Sequence, residues 1–268
     1  MHTDAKNPEG PQTRASLARD LAALGVVPGD TLLVHSSLSS LGWVCGGEQA
    51  VVQALLDAVG PEGTLVVPTQ TMDNSDPGQW RDPAVPREWW PVIRAEAPGF
   101  DPRLTPSRHM GRVPEMVRTW PGAVRSAHPQ TSFAALGPRA RALMDRHPVG
   151  CRLGEDSPLA ALEGVRARVL LLGAGFDSCT AFHLAEYRVP RPRLEECGCA
   201  LSTPDGGREW ITFTDVLLDE RDFERLGADF EDTGAVERGP VGGAAARLFP
   251  LPHAVAFATR WMTVNRDG

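Results

Sequence analysis

One histidine lies close to acidic residues in the segment 168–187, and this pattern could support acid–base chemistry. A strand of apolar residues is predicted at Arg168–Leu172, followed by small residues and a predicted helix that carries His183 and Glu186. Residues three apart share one face of a helix, so the two side chains can meet. A carboxylate beside a histidine can fix its tautomer, and the ring can then act as a general base. Asp177, in the loop before the helix, is a further acidic candidate.

Two other interpretations of the same segment stay open. A histidine in an apolar helix is often a core residue whose ring nitrogens are satisfied by hydrogen bonds. Cys179 lies four residues before His183, which would also suit a cysteine acyl-enzyme. Gly173-Ala174-Gly175 is too short for a dinucleotide fingerprint, which needs a third glycine.

Three more segments contain groups that bind ligands in other proteins. His35-Ser36-Ser37-Leu38 follows an apolar strand, and its hydroxyl and N–H groups suit a phosphate or a thioester carbonyl. The segments 126–129 (Ser-Ala-His-Pro) and 239–243 (Gly-Pro-Val-Gly-Gly) could contact a ligand or form tight structural turns. The sequence does not decide between these alternatives.

The elements that must position these residues alternate between helices and short apolar strands. Helices are predicted at 13–24, 48–59, 111–120, 138–146, from Ser157, at 179–187, 220–226 and 250–262, and strands at 31–35, 64–67, 131–136, 168–172, 194–202 and 208–214. Such strands are typical of a sheet covered on both faces. Pro204-Asp205-Gly206-Gly207, between the last two strands, indicates a β-hairpin. The sequence therefore predicts an α/β fold: a single domain with a mixed central sheet flanked by helices, a long irregular loop and a β-hairpin.

Two segments differ from this pattern. Residues 1–12 are polar and are predicted to be a flexible tail, with one domain at 13–268. Residues 69–110 are rich in Pro, Trp, Asp and Arg and show no period. A long segment of this kind inside a compact domain is usually functional or disordered, and its three tryptophans favour an ordered wall or lid over a site.

Composition narrows the class of protein. A formal charge of −7 in 268 residues argues against a nucleic-acid partner and suits a cationic substrate. No apolar run approaches the roughly 20 residues of a membrane span, and the first residues lack an apolar signal-peptide centre. We therefore expect no membrane partner and a cytoplasmic location. Five irregularly spaced cysteines predict reduced thiols, without a disulfide framework or a metal site.

Six segments, in order, resemble the aminoglycoside 3-N-acetyltransferase family over residues 13–262. They are His35-Ser-Ser-Leu38, Gly63-Thr-Leu-Val-Val-Pro68, Arg125-Ser-Ala-His-Pro129, Leu170-Leu-Leu-Gly173, Thr180-Ala-Phe-His-Leu-Ala-Glu186 and Gly239-Pro-Val-Gly-Gly243. The resemblance implies acetyl-CoA as donor, no metal, and an amino group of a 2-deoxystreptamine ring as acceptor, with antibiotic resistance as the result. It also implies a fold distinct from the GCN5-related acetyltransferases, and the chain lacks their Arg/Gln-x-x-Gly-x-Gly/Ala loop.

The resemblance assigns roles to individual residues. It implies His183 as the general base in direct transfer, Glu186 as its neighbour, and an acidic residue after the hairpin, best matched by Asp215 with Asp219 and Glu220 as alternatives. The residues implied at the CoA site are His35, Ser36, Ser37, Leu38, Ser39, Met110, Gly111, Arg112 and Val113, with Arg108 or Arg112 for the phosphates.

A polycationic amine needs several carboxylates in its pocket. The expected substrate residues are Asp73, Asp177, Glu186, Asp219 and Glu220, with Asp76 and Asp82 as further candidates. The same fold could instead acetylate a different small amine, and too few carboxylates around the acceptor would favour that alternative. Several family members are dimers, so a homodimer is an expectation that the sequence leaves open.

Overall fold

The computed structural model describes residues 10–81 and 84–266 of the chain. The helices are α1 (Arg14–Leu24), α2 (Gly47–Val59), α3 (Trp90–Glu96), α4 (Arg112–Arg118), α5 (Ala140–Met144), α6 (Pro158–Gly164), α7 (His183–Glu186), α8 (Phe223–Glu231) and α9 (Leu251–Asn265). The strands are β1 (Thr31–Ser36), β2 (Thr64–Pro68), β3 (Val124–Arg125), β4 (Phe133–Leu136), β5 (Arg168–Leu172), β6 (Leu194–Ser202), β7 (Arg208–Val216), β8 (Glu237–Val241) and β9 (Ala244–Pro250). Residues 1–9 of the predicted tail and the candidate Asp82 lie outside the described residues.

The central sheet is mixed and has the strand order β3-β4-β2-β1-β5-β9-β8. Strand β1 pairs in parallel with β2 and β5, whereas β4 and β9 add antiparallel neighbours on either side. Strands β6 and β7 form a separate two-stranded hairpin, as the sequence predicts. The predicted α/β class, the mixed sheet and the hairpin are therefore confirmed.

Alternate residues of the strands are buried on the two faces of the sheet, which explains why β1, β2 and β5 are apolar throughout. Leu33 and Leu171 pack with α5 to α9 on one face, and Leu32 and Leu170 pack with α1, α2 and α4 on the other. Successive side chains of a strand point to opposite faces, so a strand covered on both sides must be apolar at every position. In the described part of the chain, no helix is long and apolar enough to cross a membrane.

Helix ends follow local chemistry where a cap is present. Thr13 forms a capping box with Ser16 at the start of α1, and Gly25 ends this helix in the left-handed conformation. Ser157 caps α6, as expected. The helix predicted to begin at Pro138 instead starts at Ala140, because the preceding turn is fastened to β2 through the bond from Arg139 N–H to the Thr64 hydroxyl.

The segment 69–110 is more ordered than its composition suggests. It contains α3 and two short 3-10 turns, and it lies along the β6–β7 hairpin. The Asn74 side chain exchanges two hydrogen bonds with the backbone of Ala200, and Phe100 forms a bridge with Leu201. The segment is therefore an ordered wall fixed to the hairpin, and its described backbone is irregular apart from the two 3-10 turns and α3, a helix that the sequence analysis did not predict.

Two of the ambiguous motifs have structural roles. His128 is buried, and its Nδ1 accepts hydrogen bonds from the N–H groups of Gln130 and Thr131. Residues 239–243 form the end of β8 and the turn into β9, strands that the sequence analysis missed. Gly242 there has φ 55°, and a Cβ atom on it would lie 3.1 Å from Leu17 and from the Leu41 carbonyl oxygen.

Candidate active site

A cavity of about 530 Å³ opens at the carboxyl ends of β1, β2 and β5. Its wall includes His35 and Ser36 at the end of β1, Pro68 at the end of β2, and His183 beyond β5. In sheets of this type, the carboxyl ends of the parallel strands meet at one edge, where ligands bind. The chain therefore brings three segments that are far apart in sequence to one site.

The centre of this site is a histidine–carboxylate pair. His183 Nδ1 lies 2.7 Å from Glu186 Oε2, with 12% of the His183 side chain and 3% of the Glu186 side chain exposed. An ionised carboxylate only accepts hydrogen bonds, so Nδ1 carries the proton and Nε2 keeps its lone pair. This tautomer is the one that a general base requires.

The helix that carries the pair is shorter than predicted. Instead of one helix over 179–187, two 3-10 turns (Phe176–Ser178 and Thr180–Phe182) precede the single α-turn of α7. The Phe176 and Phe182 rings are both buried in the core and stack 6.0 Å apart. The contact between the two rings packs both turns against the core.

The interruption also removes the cysteine alternative. Cys179 joins the two turns with φ −74° and ψ 85°, outside the helical region, and its side chain is fully buried. Burial raises the pKa of the Cys179 thiol to about 12, so the thiolate needed for nucleophilic attack is disfavoured. Cys179 is a core residue.

Two polar atoms on the cavity wall have no hydrogen-bond partner among the described residues. These are His35 Nε2 and Ser36 Oγ, both buried. Burial and, to a smaller extent, repulsion from the nearby His183 together lower the pKa of His35 to about 3, so His35 is neutral at physiological pH. Unpaired buried polar atoms are rare in native structures, and a ligand with polar groups would satisfy these two. The residues present therefore fit the thioester and amide groups of acetyl-CoA.

The remaining predicted CoA residues of this loop do not line the cavity. The Ser37 N–H donates to the Leu172 carbonyl, 2.9 Å away, and is not available to a ligand. The Ser37 hydroxyl lies 2.8 Å from Ser40 Oγ and 3.2 Å from Ser39 Oγ, and Leu38 packs against the core. Of the loop predicted to supply hydrogen-bond donors at 36–38, only Ser36 lines the cavity, together with the preceding His35.

The segment 110–113 contributes one residue to the cavity wall, Met110. Gly111 has φ 90°, and a Cβ atom placed on it would lie 3.9 Å from the Ser36 carbonyl oxygen, which shows how closely the two loops approach. Arg112 is largely exposed and pairs with Glu48 at 2.7 Å, whereas Val113 is buried in the core. The Val113 side chain thus packs in the core, and a role for this residue at the CoA site stays a prediction.

Of the expected substrate carboxylates, Asp177 and Glu220 line the cavity with His183. Asp73 lies outside the lining and pairs with Arg108 and His109, at 3.4 Å each. Asp219 pairs with Arg221, and the hydrogen bond from this arginine lowers the pKa of the Asp219 carboxyl to about 2. Its backbone N–H, not its carboxylate, contributes to the site, by donating to Glu186 Oε1 at 3.0 Å.

Asp215 does not approach His183, and the expectation that it completes a catalytic group is corrected. Its carboxylate accepts hydrogen bonds from the N–H groups of Arg152 and Val216 and from the Tyr187 hydroxyl, at 2.7–2.8 Å. The Asp215 carboxylate thus connects the hairpin to the loop that carries Arg152.

Sequence reasoning missed Glu195 and Arg152. Both line the cavity, and Arg152 Nη2 lies 2.6 Å from Glu195 Oε1. Glu195 is opposite Asp215 in the hairpin register, so both side chains lie on the same face. No local motif predicts either residue, because Arg152 belongs to a loop and meets Glu195 of the hairpin across 43 residues of chain. In the described ranges, no group of three or more His, Cys, Asp and Glu side chains is arranged to hold a metal ion.

Comparison with known proteins agrees with this geometry. The family model described as aminoglycoside 3-N-acetyltransferase matches residues 33–263. The SPbeta prophage-derived aminoglycoside N(3')-acetyltransferase-like protein YokD of Bacillus subtilis (strain 168) is 45% identical over 96% of this chain and 94% of its own length. Its crystal structure superposes with a TM-score of 0.93, over 96% of this chain and 95% of that one.

Two further relatives extend the comparison. The aminoglycoside N(3)-acetyltransferase VII of Streptomyces paromomycinus is 41% identical over 96% of this chain and 93% of its own. A structure of AAC-IIIb, described as binary with CoASH, has a TM-score of 0.84 at 33% identity and covers 94% of this chain and 97% of that one. The chain is therefore a member of the aminoglycoside 3-N-acetyltransferase family.

Proposed function

We propose that this acyltransferase moves the acetyl group of acetyl-CoA to an amino group of an aminoglycoside, with His183 as general base. The observation that carries the proposal is the 2.7 Å bond between Glu186 and His183, the member of the pair that lines the cavity. The 3-amino group of the 2-deoxystreptamine ring is the proposed acceptor, and antibiotic resistance the proposed consequence. The cytoplasmic location, the homodimer and the single domain at 13–268 stay predictions.

The proposed reaction is a direct transfer. The acceptor amine reaches the enzyme largely as ammonium, so a proton must leave its nitrogen before or during attack. His183 Nε2 takes one proton from the ammonium, which frees the nitrogen lone pair for attack on the thioester carbonyl. The nitrogen loses its second proton as the C–N bond forms and the C–S bond breaks, and that proton goes to the departing thiolate to give CoASH. Glu186 stabilises the imidazolium that results. General-base assistance of this kind is worth about 10²–10⁴-fold in rate.

The two unpartnered atoms next to His183 suit the donor side of the reaction. The thioester carbonyl oxygen gains negative charge during attack and needs hydrogen-bond donors. Ser36 Oγ and His35 Nε2 are buried and unpaired, so each can donate without first breaking a bond within the protein. One such donor is worth roughly 3 kcal/mol in comparable sites.

Other acidic side chains of the cavity wall suit a polycation. Asp177, Glu195 and Glu220 line the cavity together with His183, although Arg152 neutralises part of the Glu195 charge. Carboxylates that line a cleft attract cationic ligands and speed their association. The names of the relatives, which are aminoglycoside acetyltransferases, support the same class of acceptor.

A thiol-release assay with acetyl-CoA and a panel of aminoglycosides tests the proposal. We expect release that requires an aminoglycoside and that falls about 10²–10⁴-fold in His183→Ala. His253→Ala is the matched control, because His253 is an exposed residue of α9 away from the cavity. CoA binding without release for any aminoglycoside would reject this acceptor class and favour a different small amine.

A further inference from the structure

Arg266, the residue that follows α9, reaches the buried side of the His183–Glu186 pair. Its Nη1 lies 2.6 Å from Glu186 Oε1, the carboxylate oxygen that faces away from His183. Its Nε donates to Asp222 Oδ2 at 2.8 Å, and its Nη2 donates to the other Asp222 oxygen and to the Asp219 carbonyl. All three guanidinium nitrogens are therefore engaged, which fixes the orientation of the group.

Phe223 packs between the His183 ring and the Arg266 guanidinium. The Phe223 ring is fully buried, 4.8 Å from the His183 ring between centroids, and the Arg266 guanidinium lies 5.8 Å from its centre. Phe223 thus packs against the imidazole on one side and the cation on the other. The contact leaves His183 little freedom to turn away from Glu186.

Glu186 depends on these contacts because its side chain is only 3% exposed. A buried carboxylate is stable as an anion only if charged or N–H groups replace the water that it has lost. Among the residues that the structure describes it has three such groups: His183 Nδ1, the Asp219 N–H and Arg266 Nη1. Arg266 is the one that carries a permanent positive charge.

Arg266 itself remains charged in this position. Burial alone would lower the pKa of Arg266, but the hydrogen bonds to Asp222 and Glu186 outweigh it and raise the pKa above its ordinary value. The ion pair is also accessible from a second cavity, of about 510 Å³, that is lined by Glu186, Asp219, Asp222 and Arg266 and lies behind the pair.

We propose that Arg266 is a positioning residue for the general base. It holds Glu186 ionised and oriented, and Glu186 then keeps the proton of His183 on Nδ1 and the lone pair on Nε2. This inference rests on the proposed function, since it assumes that His183 is the base. Arg266 acts through Glu186 and does not touch the substrates.

The test compares Arg266→Gln and Arg266→Lys with the wild-type enzyme in steady-state kinetics. For Arg266→Gln we expect kcat to fall about tenfold, a part of the 10²–10⁴-fold that general-base catalysis supplies, with both KM values within about twofold of wild type. Arg266→Lys keeps the charge but cannot make the three-sided set of hydrogen bonds, so it should recover kcat in part.

A nitrogen NMR spectrum of the His183 ring above neutral pH provides a readout that needs no turnover. The proposal requires the Nδ1–H tautomer in wild type and a mixture of tautomers in Arg266→Gln. Arg225→Gln is the control, since Arg225 is an exposed arginine that packs on Trp261 and hydrogen-bonds Asn265 without touching Glu186. We expect it to match wild type in both measurements.

The outcomes separate this inference from the proposed function. A folded Arg266→Gln enzyme with wild-type kcat and an unchanged tautomer would overturn the positioning role. Full activity of His183→Ala would instead reject the general base, whatever the tautomer shows. If Arg266→Gln does not fold, Asp222→Asn removes the anchor of the guanidinium and leaves Glu186 intact, and the same two readouts then decide.

Discussion

Replacement of Glu186 by glutamine tests how His183, the proposed general base, is oriented. The change removes one charge and keeps almost the same shape. In the native site the carboxylate accepts three hydrogen bonds, from His183 Nδ1, the Asp219 N–H and Arg266 Nη1. An amide has one oxygen and one NH2 group, so it cannot accept from both sides of the site.

The two possible orientations of the amide have different costs. With its oxygen toward His183, the NH2 group faces Arg266 and the Asp219 N–H. All of these groups are hydrogen-bond donors, so no hydrogen bond can form between them. With its oxygen toward Arg266, the NH2 group faces His183 Nδ1 and forces the proton onto Nε2. A hydrogen bond to a charged group is worth about 1.5–3 kcal/mol, so the second orientation is favoured. The histidine then lacks the lone pair that accepts the proton of the amine.

We therefore expect a large loss of kcat in Glu186→Gln. A carboxylate-to-amide change that inverts the tautomer of a catalytic histidine lowers the rate by about 10⁴-fold in the serine protease triad, and a loss of about 10³–10⁴-fold is expected here. The free energy of unfolding should fall by about 1.5–3 kcal/mol, because the buried Arg266 guanidinium then bonds to a neutral amide oxygen in place of the carboxylate.

The assay is thiol release at saturating acetyl-CoA and aminoglycoside, with thermal unfolding measured in parallel. Glu163→Gln is the matched control: Glu163 also pairs with an arginine, Arg188 at 2.6 Å, but outside the cavity. The reasoning is refuted if folded Glu186→Gln retains kcat within about threefold of wild type, or if Glu163→Gln loses as much activity.

Two further predictions concern acid stability and the acceptor site. Burial lowers the pKa of His147 to about 4, so the folded state binds a proton there less readily than the unfolded state does. The contribution of this group to the free energy of unfolding should be complete above about pH 6.5 and fall by up to about 1.4 kcal/mol per pH unit as the pH drops toward 4. When Tm is followed against pH, it should decline less steeply in His147→Gln. An equal decline in the variant would assign the acid sensitivity to other groups. Glu195→Gln should raise the KM for the aminoglycoside about tenfold and leave the KM for acetyl-CoA unchanged, since it removes a carboxylate and exposes the charge of Arg152 to the substrate. Glu196→Gln, on the other face of β6, is its control, and a shift in the acetyl-CoA KM instead would contradict the assignment of Glu195 to the acceptor side.

Much of the architecture could be predicted because it depends on local patterns. The apolar runs of β1, β2 and β5 must be covered on both faces of the sheet, and this pattern predicts the α/β class. Thr13, Gly25 and Ser157 mark helix ends by their own hydrogen bonds and backbone freedom. The strands β8 and β9 were missed because glycines and alanines give them little apolar signal, and pairing with β5 stabilises them.

The contact between His183 and Glu186, the proposed catalytic pair, could also be predicted from the sequence, since the two residues are three apart on one turn. The class of the fold, the order of most of its elements and the His183–Glu186 contact can thus be predicted, because they rest on interactions between near neighbours in the chain. Which carboxylates share the cavity depends instead on contacts between residues far apart in the chain. Asp215 and Glu195 are cross-strand partners, and both contact Arg152. Asp215 binds the backbone of the Arg152 loop, whereas Glu195 lies on the cavity wall. Arg266 joins the site across 80 residues of chain. Such long-range contacts form because the sheet and hairpin close the distance, and no local spacing encodes them.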